Sequence, residues 1–191
     1  MNTKLLKAIN FAFEKHEGQY RKKTTIPYII HPLGAMINLL KEQGEDNSID
    51  DNVVVSGVLH DIYEDTDTSL EEIKKEFGEK VAELVEIASE PEELKKSEDE
   101  NWRERKEKTI SNIKNADRQA KIMICADKCD NLLSMNEDLF LEKDLWGKFN
   151  ASKEEIKWYY KNCIKAFTEG ESIADTRVFK ILKKEFEMLF G

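Results

Sequence analysis

The stretch NVVVSGVLHDIYEDT, residues 52–66, decides the fold class. Its β-branched run Val53-Val54-Val55 has the look of a buried strand, but no alternating partner strand or hairpin turn lies nearby. It therefore reads as a buried helix, for which Asp50 or Asp51 supplies a cap. The apolar run ends at His60, and the five residues that follow include Asp61, Glu64 and Asp65.

Outward from this segment, apolar residues recur three or four apart. Upstream, Leu5, Ala8, Ile9, Ala12 and Phe13 predict a helix that stops near Gly18. A basic loop, QYRKKTTIP, follows. Pro32 then suits the first turn of a second helix, whose stripe Ala35, Met36, Leu39 and Leu40 runs to Gly44. Downstream, Ser69-Leu70-Glu71-Glu72 has the form of a capping box, and Leu70, Ile73 and Phe77 continue one face to Gly78. Val81, Leu84, Val85 and Ala88 mark a helix before Pro91, and PEELKKSEDEN reads as a charged surface connection. Further helices are expected over Trp102 to Ile113, KIMICADKCDNLLSM, EEIKWYYKNCIKAF and VFKILKKEFEMLF. About nine helices without a strand predict an all-α fold, a single domain over residues 1–191 with its last helix at 173–190.

The composition narrows the function. With Lys+Arg at 30 against Asp+Glu at 39, the net charge is -9, which disfavours nucleic acid as a general partner because phosphate backbones need a basic face. A small anionic ligand remains compatible if cations are gathered locally. Cys125, Cys129 and Cys163 are an odd, sparse set without a CxxC pair, which suggests a reducing compartment, with the cytoplasm as the default. The N-terminal segment is interrupted by charges and predicts neither a signal peptide nor a membrane span. There is no Gly-rich phosphate loop of either the Walker or the Rossmann form.

The chemistry gathers around His60-Asp61-Ile62-Tyr63-Glu64-Asp65. A core helix ending in so many ionisable groups needs compensation, and a cation supplies it. If the helix continues, Glu64 lies one turn below His60 and Asp65 one turn below Asp61. Enclosing an ion takes ligands from more than one helix. Two further pieces are available: His31 in PYIIHPL, and Asp127 interrupting the apolar stripe of KIMICADKCDNL with Asn131 four residues on.

Taken together, AFEKHEGQYRKKTTIPYIIHPL, GVLHDIYEDTDTSLEEIKKEFGEKVAELV and ADKCDNL resemble the HD phosphohydrolase superfamily. The likeness is closest to the hydrolase domain of RelA/SpoT-type alarmone enzymes and their small stand-alone relatives, over residues 12–167. The resemblance implies an HD-type helical domain in which His31, His60, Asp61 and Asp127 hold one divalent ion, usually Mn²⁺ in the narrower family, with Fe²⁺ or Zn²⁺ also suited to a mixed N/O set. It implies that Glu64 and Asp65 serve catalysis, and that Arg21, Lys22 and Asn131 border a nucleotide substrate such as ppGpp, whose 3′-pyrophosphate is removed. One position departs from the pattern. Leu133, two residues after Asn131, stands where alarmone hydrolases commonly carry Arg, which bears on the substrate and not on the metal chemistry.

Other candidates weigh less. His16 is expected behind the ligands or in the core, Cys125 and Cys129 as packing residues, and the Trp158-Tyr159-Tyr160 cluster mainly as core. Alternatives within enzymes are a different nucleotide phosphatase or a phosphodiesterase. Outside them stands a scaffold that keeps metal residues for stability, against which Glu64 and Asp65 argue because stability needs only the ligands. The oligomeric state stays open.

Overall fold

The computed structural model describes residues 3–90, 101–141 and 143–191. Among these residues ten α-helices follow one another: α1 (Thr3–Lys15), α2 (Ile30–Glu45), α3 (Asp51–Leu59), α4 (Ile62–Asp65), α5 (Leu70–Phe77), α6 (Glu79–Ala88), α7 (Trp102–Asn115), α8 (Arg118–Phe140), α9 (Lys153–Phe167) and α10 (Arg177–Phe190). No strand forms among the described residues, where the β pairing consists of an isolated antiparallel bridge between Tyr20 and Pro27. The fold is all-α, as expected, with α4 a single turn beside nine longer helices. Most of the expected charged connection, residues 91–100, lies outside the described residues.

The ambiguous run of valines resolves through burial. Every residue from Val53 to Leu59 is buried, so α3 is enclosed around its whole circumference and shows neither helical nor strand periodicity. Asp50 caps it, its carboxylate accepting from the Asn52 amide at 2.7 Å. Gly57 lets α2 come close, since a Cβ there would stand 2.2 Å from Leu39 Cδ1. The continuous helix expected through residue 65 does not form: α3 stops at Leu59 and α4 begins at Ile62, leaving His60 and Asp61 at the bend.

Helix α8 is the second enclosed element. Residues 120–127 are all buried, and the helix packs against α2, α3, α6, α7 and α10. Because α2, α3 and α8 also pack pairwise, the residues they carry are brought to one junction. The last helix begins at Arg177 and not at 173, because Thr176 caps it with its hydroxyl accepting from the Phe179 amide. A second, remote cap comes from Glu42 on α2. Its buried carboxylate accepts from the Val178 amide at 2.7 Å and the Arg177 amide at 3.2 Å.

That contact ties α10 to the helix bearing His31 and yields a stability prediction. Glu42→Ala leaves two first-turn amides without their acceptor and should cost about 2–3 kcal/mol, the range for buried donors deprived of a charged partner. Urea unfolding measures it, and a variant as stable as wild type would show that water replaces the carboxylate freely.

Candidate metal centre

His31 sits in the first turn of α2, His60 caps the end of α3, and Asp127 lies midway along α8. All three are buried, and one donor atom from each falls within 4.8 Å of the others. The two Nε2 atoms are 3.2 Å apart, and Asp127 Oδ1 lies 3.2 Å from that of His31 and 3.7 Å from that of His60. Asp61 stands beside this triad, its Oδ1 3.2 Å from His60 Nε2 and its Oδ2 3.6 Å from His31 Nε2.

The far edges of both rings are engaged. His60 Nδ1 is 2.9 Å from the Gly57 carbonyl, which can only accept, so that nitrogen carries the proton. His31 Nδ1 is 2.6 Å from Asp130 Oδ2. In the neutral rings both Nε2 lone pairs then face each other and two carboxylates across a shared volume, an arrangement that repels unless a cation occupies it. Burial opposes a charge on either ring. The neighbouring Asp61, Asp127 and, for His31, Asp130 outweigh burial and hold both imidazole pKa values above the usual histidine range. Surroundings that favour a proton on each ring equally favour a divalent ion among them. The donor set fits such an ion.

The acids divide into two groups. Burial pushes Asp127 and Asp61 upward, but Lys128 and the imidazoles beside Asp127, and the imidazoles beside Asp61, prevail and keep both ionised well below the carboxylate range. Glu64 and Asp65 shift the other way. Burial, with neighbouring carboxylates, raises both. Asp61 and Asp127 thus suit a cation, whereas Glu64 and Asp65 suit proton transfer.

Other side chains complete the cleft, which encloses about 150 Å³. Tyr28, unnoticed in the sequence, places its Oη 2.6 Å from Asp61 Oδ2 and 2.8 Å from Asp65 Oδ2, holding the two acids together. Lys128 pairs with Asp127 Oδ2 at 2.7 Å. Asn131 donates to Asp127 Oδ1 and accepts from Arg21 Nη2, each at 2.8 Å. Glu90 is buried; its amide donates to Glu64 at 3.0 Å while its carboxylate pairs with Arg105 and Lys106. Neither Tyr28 nor Glu90 stands in a charged or helical pattern that marks it in the sequence.

Arg21, Tyr28, His31, Lys106, Lys128 and Asn131 also border a second, larger cavity of about 670 Å³. Lys22, Leu133, Tyr159 and Tyr160 line it, so two rings of the aromatic cluster face this space in addition to packing in the core. Lys23, the last member of the basic run, turns away and donates to the Gly147 carbonyl. His16 is buried behind Tyr28, its ring 4.9 Å from the phenol ring and its Nδ1 2.7 Å from Gln19 Oε1. Cys125, Cys129 and Cys163 are free and buried.

If the cluster takes an ion, Mn²⁺ or Zn²⁺ at about 100 times its dissociation constant should stabilise the fold by about 2.7 kcal/mol. His60→Ala and Asp127→Ala should abolish that shift and the bound metal found by elemental analysis. Wild-type protein that neither gains stability nor retains any transition metal would eliminate the centre.

Known proteins resemble this chain in sequence and fold. The HD domain family matches residues 8–144. Guanosine-3′,5′-bis(diphosphate) 3′-pyrophosphohydrolase MESH1 of Danio rerio is 38% identical over 133 residues, 69% of either chain. The guanosine-3′,5′-bis(diphosphate) 3′-pyrophosphohydrolase of Aquifex aeolicus is 48% identical over 99 residues, 51% of this chain and 13% of that protein. A structure described as a metazoan ortholog of SpoT that hydrolyses ppGpp superposes with a TM-score of 0.77 at 26% identity, covering 98% of this chain and 96% of the other. A Listeria monocytogenes EGD-e protein superposes with a TM-score of 0.73 at 30% identity, over 88% and 100%. With the matched region holding His31, His60, Asp61 and Asp127 around one volume, the chain belongs to the HD domain family.

Proposed function

We propose that this chain is a metal-dependent pyrophosphohydrolase that removes the 3′-pyrophosphate of a guanosine alarmone, (p)ppGpp. The observation that carries the proposal is the adjacency of the two spaces: the small cleft over His31, His60 and Asp127 shares lining residues with a cavity of nucleotide size. Three cations on that wall, Arg21, Lys106 and Lys128, suit a ligand whose phosphates reach the cleft while its base and ribose occupy the larger space. Curated relatives bearing the name of this activity add to the reading.

In this account His31, His60, Asp61 and Asp127 hold the ion; two imidazoles and two carboxylates suit Mn²⁺, Fe²⁺ or Zn²⁺, and the resemblance to alarmone hydrolases favours Mn²⁺. A divalent ion there acidifies water and offsets charge at the attacked phosphorus. The protein supplies the proton handling and the orientation. Hydrolysis consumes one water and frees pyrophosphate and a 3′-hydroxyl, so a proton leaves the attacking water and one reaches the departing oxygen. Glu64 and Asp65, the two carboxyls with raised pKa in the cleft, are the groups for these transfers. Tyr28 fixes Asp65, and the Glu90 amide fixes Glu64. Arg21, Lys22 and Asn131 contact the nucleotide, and Arg21 and Asn131 meet it already joined by their hydrogen bond. The free cysteines Cys125, Cys129 and Cys163 support the cytoplasm as the compartment.

Leu133 favours keeping a second reading of the substrate, because it lines the large cavity with a neutral side chain where a cation is common among alarmone hydrolases. Turnover with Mn²⁺ across ppGpp, pppGpp, ppApp, NADPH, dNTPs and cyclic nucleotides separates the two. The expected result is fastest release of pyrophosphate from ppGpp or pppGpp. Preference for another member would keep the chemistry and replace the substrate, whereas no turnover of any would leave a metal-binding scaffold. On the best substrate, Glu64→Gln and Asp65→Asn should retain metal and fold while losing roughly two to four decades of kcat, the range for positioned proton transfer. Unchanged rates in both variants would remove them from catalysis.

A further inference from the structure

Asp130 holds no ligand or catalytic role in the proposed reaction, yet it bonds a proposed ligand, His31. It lies one helical turn beyond Asp127 on α8, as Gly34 lies one turn beyond His31 on α2, so the two helices face each other through these two pairs. Asp127 Oδ1 approaches His31 Nε2, and Asp130 Oδ2 approaches Nδ1 of the same ring at 2.6 Å. The Asp130 carboxylate fills the hollow that glycine leaves: a Cβ on residue 34 would stand 1.9 Å from Asp130 Oδ1 and 2.5 Å from its Cγ. Glycine inside a helix is less favourable than alanine, so a local preference yields here to the room the carboxylate needs.

We infer that Asp130 is a positioning residue for the metal centre: seated against Gly34, it fixes His31 with its proton on Nδ1 and its Nε2 lone pair on the ion. This rests on the metal reading above. The chemistry is that of a carboxylate behind a ligating imidazole, which orients the ring and makes its free nitrogen a stronger donor. In the corresponding place His60 meets, among the described residues, the neutral Gly57 carbonyl. The two imidazoles are therefore unequal, with His31 the stronger donor and the more dependent on its partner.

A purely structural link between α2 and α8 predicts different behaviour from a positioning role. Asp130→Asn has nearly the same shape, fits the same hollow and keeps an oxygen that accepts from Nδ1, so packing is preserved while the charge is lost. Gly34→Ala leaves the charge but evicts the carboxylate. With the chain stripped by EDTA and titrated with Mn²⁺ alone, free Mn²⁺ being read by its EPR signal, each variant should bind about 10- to 100-fold more weakly than wild type. The double variant should lose no more than either single one, since both remove the same contact. Long-range ¹H–¹⁵N spectra of the metal-free protein, recorded at a pH high enough to leave the ring neutral, should show the Nδ1–H tautomer of His31 in wild type and its erosion in both variants. Wild-type affinity in the two single variants, or losses that add in the double variant, would overturn the inference while leaving the metal centre in place. Wild-type protein that binds no Mn²⁺ would instead overturn the centre itself, and this inference with it.

Discussion

Two imidazole nitrogens and the oxygens of two carboxylates share a volume a few ångströms across at the junction of α2, α3 and α8, with His31, His60 and Asp127 buried and Asp61 partly exposed to the cleft. Left alone, such an array repels itself, and burial in a medium of low polarisability makes the repulsion worse. Only positive charge reconciles it. The rest of the cleft follows from this demand: Lys128 neutralises the outer oxygen of Asp127, and Tyr28 donates toward the outer oxygen of Asp61.

The core exists in the form needed to impose that constraint. Seven consecutive buried residues make α3 a rod enclosed on every side, and its end delivers His60 and Asp61 at a bend and not on a continuing helix. The bend matters because it turns Glu64 and Asp65 toward the cleft as a separate turn, held by Glu90 and Tyr28. Gly57 sets the approach of α3 to α2, and Gly34 admits Asp130 of α8 beside α2, so both close helix contacts around the site are made where a side chain is absent. The aromatic and cationic walls of the larger cavity come from α7, α8, α9, the basic loop and residues 143–149, and Lys128 and Asn131 on those walls bond Asp127, which joins the larger space to the ligands.

Much of this was legible in the chain, for identifiable reasons. Helices with one buried face announce themselves by spacing, as Ser69 to Gly78 does, and there the Ser69 hydroxyl accepts from the Glu72 amide while the Glu72 side chain pairs with Lys15. The valine run had no such spacing and was assigned by the absence of partner strands. His31, His60, Asp61 and Asp127 are each ambiguous alone and became a set only in the order that resembles the HD superfamily. Tyr28 and Asp130 stayed hidden because their partners lie 33 and 99 residues away. Glu90 carried no signal of its own beside the charged stretch that follows it, although Arg105 and Lys106 make its burial tolerable.

Crystals of the protein soaked in Mn²⁺ and measured at the manganese absorption edge test the account most directly. It predicts one strong anomalous peak bonded to Nε2 of His31, Nε2 of His60 and the carboxylates of Asp61 and Asp127. An empty cluster under saturating Mn²⁺, or a peak bound only by other residues, would contradict it.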